Sequence, residues 1–78
     1  MRHDTSTNIN NYKKDFEYLK IRKDSKEIMV SLYGNMNSNQ IAEVTTYISN
    51  YFSADTDLSF DLEVDPKAAP GDFVISWS

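Results

Sequence analysis

Asp57-Leu58-Ser59-Phe60-Asp61-Leu62-Glu63-Val64-Asp65 alternates without a break. On an extended chain Leu58, Phe60, Leu62 and Val64 fall on one face, and Asp57, Ser59, Asp61, Glu63 and Asp65 on the other. A period of two with one apolar and one charged face predicts a half-buried strand, in an antiparallel sheet covered on one side only. Downstream, Pro66-Lys67-Ala68-Ala69-Pro70-Gly71 reads as a loop, because two prolines cannot donate ladder bonds. Phe73, Ile75 and Trp77 then alternate with Val74 and Ser76, which predicts a closing strand.

Upstream the period changes. Ile41, Val44, Ile48, Tyr51 and Phe52 are spaced for one face of a helix of about fourteen residues. Asn37 followed by Gln40 marks its start as a capping box, with Asn in place of Ser or Thr. Further upstream, Ile28, Val30 and Leu32 alternate with Met29, Ser31 and Tyr33 and predict another strand, closed by Gly34-Asn35. Leu19 and Ile21 alternate with Tyr18, Lys20 and Arg22. Separated from Ile28 by a short polar gap, they predict the first strand of a β-hairpin. Residues 1–12 are largely polar, with three Asn, two Thr, one Ser and Ile9 as the single aliphatic, and read as a flexible N-terminal tail, whose removal is expected to leave the fold intact. The expectation is therefore one small α+β domain over residues 13–78. Its order is ββαββ, with a mainly antiparallel four-stranded sheet and one helix on one face.

Composition narrows the function. The chain of 78 residues has no Cys, a single His and a net charge of −4. A disulfide framework, a thiol nucleophile, any cysteine-based metal site and any site needing two imidazoles are excluded. Two glycines leave no phosphate-cradling loop. No apolar run is long enough for a spanning helix. The N-terminal stretch lacks the apolar core of a secretory signal, so a cytoplasmic location is expected. No motif calls for a cofactor or a metal. Asp55-Thr56-Asp57-Leu58-Ser59 imitates the start of a calcium loop. Phe60 and Pro66 stand where that loop needs Gly and Glu, and strand alternation already accounts for these residues. Asp61 and Glu63 share a strand face roughly 7 Å apart, yet acid–base catalysis needs a cleft that a flat face does not offer.

The charge is unevenly spread. Residues 1–33 carry seven basic side chains and five acids, whereas residues 55–78 carry six acids against Lys67 alone. Two charged candidate sites follow. The first is the acidic strand face of Asp57, Asp61, Glu63 and Asp65. Its spacing approaches that of phosphates along a nucleic-acid strand, and it suits a basic patch on a protein partner. Like charges on a wet strand face also discourage aggregation, with no partner involved. The second is the basic group Lys20, Arg22, Lys23 and Lys26 on the first hairpin, beside aromatic Tyr18 and Tyr33, a combination that binds single-stranded nucleic acid. Asp24 and Glu27 in the same tip, and the net acidity, weigh against it.

The expected function is a small, acidic, non-enzymatic interaction protein that binds a larger protein complex and inhibits or regulates it. The composition is rich in Asn, Lys, Ile, Asp, Ser and Tyr. Many phage and mobile-element proteins are as short and as acidic, so an inhibitor of a host defence system acting in the host cytoplasm is the favoured form. A nucleic-acid-binding module using the basic hairpin is the alternative. A single helix covers a four-stranded sheet only in part, so a homodimer is expected, with Tyr33, Tyr47, Tyr51 and Trp77 as its interface.

Overall fold

The computed structural model describes residues 3–78. They form a small α+β domain of four strands and two helices: β1 (His3–Asn8), α1 (Tyr12–Tyr18), β2 (Glu27–Gly34), α2 (Ser38–Tyr51), β3 (Asp57–Val64) and β4 (Asp72–Trp77). The strands make one sheet in the order β1-β4-β2-β3. β4 runs antiparallel to both β1 and β2, and β3 runs parallel to β2. The sheet is thus mainly antiparallel, with α2 as the crossover that a parallel pair requires.

Both helices lie on one face. Ile28, Val30 and Leu32 of β2 and Phe73 and Ile75 of β4 point to that face and are buried. Val44 and Ile48 of α2 and Tyr12 and Phe16 of α1 close over them. Phe16 is the centre of an aromatic cluster, edge-on to Tyr51 at 4.9 Å and to Tyr47 at 6.1 Å between ring centroids. α2 opens with the expected capping box: Gln40 N–H donates to the Asn37 side chain at 2.9 Å, and Asn37 N–H donates to Gln40 Oε1 at 3.0 Å. Two orphan donors are satisfied there reciprocally.

The front of the chain departs from expectation. Residues 3–8 form an edge strand in place of a flexible tail, in register with β4 from His3 opposite Trp77 to Asn8 opposite Asp72; residues 1 and 2 of the expected tail lie outside the described residues. Its inward positions are His3, Thr5 and Thr7, so a strand exists without an aliphatic residue. Thr7 is buried and donates to Asp15 Oδ2 at 2.7 Å. The Asn8 side chain accepts from the backbone N–H of Asn10 and Asn11 and turns the chain into α1.

The predicted first strand over residues 18–22, and with it the hairpin, is replaced by α1 and a connection over residues 19–26. Tyr12, Phe16 and Leu19 are spaced by four and three, a helical period that places all three against the core. The connection is held by α2 and by the start of β3. Tyr51 Oη donates to the Ile21 carbonyl at 2.6 Å, Ser53 N–H to the Lys23 carbonyl at 2.9 Å and Thr56 Oγ1 to the Ser25 carbonyl at 2.6 Å. With its backbone groups bound there, the segment has no strand to pair with.

Candidate functional site

Among the described residues no element covers the sheet face opposite the helices. Alternation assigns its side chains strand by strand. β1 contributes Asp4, Ser6 and Asn8, and β4 contributes Asp72, Val74 and Ser76. β2 contributes Glu27, Met29, Ser31 and Tyr33, and β3 contributes Asp57, Ser59, Asp61 and Glu63. Six of these fourteen side chains are carboxylates and none is basic. Register sets their places. Asp61, Ser31, Ser76 and Asp4 form one row across the four strands, and Glu63, Tyr33, Val74 and Ser6 form the next. Hydroxyls with Met29, Tyr33 and Val74 therefore occupy the middle of the face, and carboxylates its margins.

Two hollows interrupt the face. A shallow one of about 240 Å³ lies between Ser31, Tyr33, Asp61, Glu63 and Ser76. A groove of about 440 Å³ at the sheet end is lined by Asp15, Tyr33, Asp65 and Asp72, among others. The Asp65 carboxylate beside Tyr33 is the main cause that raises the phenol above its ordinary value, and Glu63 adds to it. Tyr33 therefore stays a neutral hydrogen-bond donor amid the carboxylates.

Of the sequence-derived acidic candidates, Asp57, Asp61 and Glu63 are exposed on this face, and Asp65 is half-buried just past the end of β3. Sequence reasoning missed Asp4, Glu27 and Asp72, which reach the face from three other strands. Only the pairing register brings them there.

The basic candidates do not share a sheet face. Lys20 ends α1 in the left-handed region, with φ of 54°. Arg22 pairs with Asp24 at 3.3 Å, which holds that carboxyl below its usual range. Lys23 Nζ sits over the Tyr51 ring, 5.1 Å from its centroid. Lys26 follows in the same connection, one residue before β2. The four aromatic candidates also separate. Tyr33 is on the uncovered face, Tyr47 and Tyr51 pack on Phe16 beneath α2, and Trp77 stacks on His3 at 5.4 Å on the helix-covered side.

Among the described residues no group of three or more His, Asp or Glu side chains is placed to hold a metal ion, and no helix is long and apolar enough to cross a membrane. Asp57 and Ser59 of the calcium-like stretch are outward strand positions paired beside Glu27 and Met29. Asp61 and Glu63 stand on a face rather than across a cleft. No protein-family model matches the chain, and no curated protein matches it either.

Proposed function

We propose that this chain is a non-enzymatic interaction module that docks its uncovered sheet face on a basic surface of a larger protein complex and inhibits or regulates that complex by occupying the surface. The observation that carries this reading is the make-up of the face. Its middle is apolar and hydroxyl-bearing, its margins hold six carboxylates, and among the described residues it has no cation. An apolar middle with a charged rim is the usual anatomy of a protein interface, and a single sign of charge selects and steers a partner of the opposite sign. The small size and the composition favour the form in which a mobile element encodes the chain against a host defence complex. Nucleic-acid binding is less well supported, since Arg22 is paired, Lys23 lies over a tyrosine, and the sheet itself repels phosphate.

The test uses the tagged full chain as bait and measures the affinity of the purified captured partner. Asp61→Lys with Glu63→Lys should weaken binding by about 100-fold or more. Arg22→Glu with Lys23→Glu should leave it unchanged. The reverse order assigns function to the basic connection and overturns the proposal. Circular dichroism first establishes that each variant is folded; both pairs are exposed, so each change should alter stability by little more than about 0.5 kcal/mol.

A further inference from the structure

The sheet ends at β3, which has β2 on one side and, among the described residues, no strand on the other. At its two ends, Asp57 N–H donates to the Lys26 carbonyl at 2.8 Å and Asp65 N–H donates to the Gly34 carbonyl at 2.9 Å. Backbone groups of successive strand residues point to alternate sides. Ser59, Asp61 and Glu63 therefore also face β2, and the N–H and C=O groups of Leu58, Phe60, Leu62 and Val64 face the open edge.

The side chains of those four lie on the helix side of the sheet, but the helices do not reach the end of the strand. Leu62 is 47% exposed and Val64 59%. Asp57, Asp61 and Glu63 stand on the opposite face of the same strand. One strand thus combines unpaired backbone groups, uncovered aliphatic side chains and a row of carboxylates.

Charge decides which strand can pair there. A second copy offering its own β3 would set carboxylates beside carboxylates, which is unfavourable for cross-strand neighbours. A second copy offering β1 would bring Asp4, Ser6 and Asn8 to the acidic face, again with no cation among them. An extended segment alternating Lys or Arg with aliphatic residues meets all three features at once. Its backbone pairs with the open edge, its aliphatic side chains cover Leu62 and Val64, and its cations face Asp57, Asp61 and Glu63. We infer that β3 is a strand-addition site for such a basic, alternating segment of a protein partner. This rests on the docking role proposed above and names the partner's chemistry and its mode of attachment.

The probe is a nine-residue peptide alternating Lys with Val, acetylated and amidated, titrated into the isotopically labelled full chain. Saturable binding is expected, with amide exchange slowed by about tenfold or more at Leu58, Phe60, Leu62 and Val64. The amides of Asp61 and Glu63, already bonded to β2, should change little. The same peptide methylated on its backbone nitrogens keeps the charge but cannot donate ladder bonds, and should bind about tenfold more weakly or worse. A peptide with Glu in place of Lys should not bind. Equal binding of the methylated peptide would overturn strand addition and leave docking on the face intact. Absence of binding by the Lys peptide would also overturn strand addition, and the charge-reversed bait then decides docking on the face independently. Protection of the same four amides in the free chain, rising with its concentration, would give the edge to a second copy and overturn the inference as well.

Discussion

A side chain at residue 34 has no room. A Cβ there would fall on the Asp72 carbonyl oxygen and lie 2.5 Å from Phe73 Cα. β2 and β4 approach so closely at this point because Asn35 N–H donates to the Asp72 carbonyl at 2.9 Å, locking the strand ends together. Gly34→Ala should therefore destabilise the fold by about 2 kcal/mol or more, read by urea denaturation. Lys20 is the opposite case. It holds the left-handed conformation that ends α1, a place where glycine is free of the Cβ penalty. Lys20→Gly should raise stability by up to about 1 kcal/mol, visible as an upward shift of the same denaturation midpoint. Tyr12 governs the alkaline limit. It is buried and donates to Glu43 Oε2 at 2.7 Å. Burial first, then the Glu43 hydrogen bond and charge, push its phenol far above the ordinary value, and burial with Glu17 raises Tyr47. Folding thus favours the protonated phenols. That stabilisation is fully present below the unfolded tyrosine value of about 10 and is lost as pH rises from there toward the folded values. Melting temperatures should be level with respect to these groups from pH 7 to 9 and fall above about 10. Tyr12→Phe should cost about 1 kcal/mol at pH 7 and make the alkaline fall shallower.

At the scale of elements, what the sequence exposed and what it concealed have separate causes. β2, α2 and β4 each bury one apolar face, and an apolar face leaves a period in the sequence; β3 carries the same period, but only Leu58 and Phe60 are partly covered and Leu62 and Val64 stay exposed. The capping box of Asn37 and Gln40 was likewise legible, since both partners lie within one turn. β1 buries only threonines and pairs with a strand some seventy residues away, so nothing local in His3–Asn8 betrays it. α1 did leave a signal, the spacing of Tyr12, Phe16 and Leu19. It overlaps the short alternation of residues 18–22, which happens to imitate a strand. Deleting residues 1–12 removes β1 and the wholly buried Tyr12, and should cost at least about 3 kcal/mol. An unchanged melting temperature after this deletion would contradict the pairing of β1 with β4.

Across the whole molecule the charges separate by face. Lys13 and Lys14 lie on α1, and Lys20, Arg22, Lys23 and Lys26 in the connection that follows it, whereas the charged side chains of the uncovered sheet face are, among the described residues, all acidic. A basic front and an acidic back were visible in the sequence. The face itself was not, because Asp4 and Glu27 come from the basic half and join Asp57, Asp61 and Glu63 only through the sheet order. Docking carried by exposed carboxylates should weaken steeply as salt rises, since charges farther apart than about 10 Å are screened at 0.1 M. The most direct test is a chemical-shift map of the labelled chain bound to its purified captured partner. The largest changes are expected at Met29, Ser31, Tyr33, Val74 and Ser76 and along β3 from Asp57 to Val64. Changes centred on Tyr47 and the outer side of α2, or on residues 20–26, with the sheet face silent, would contradict it.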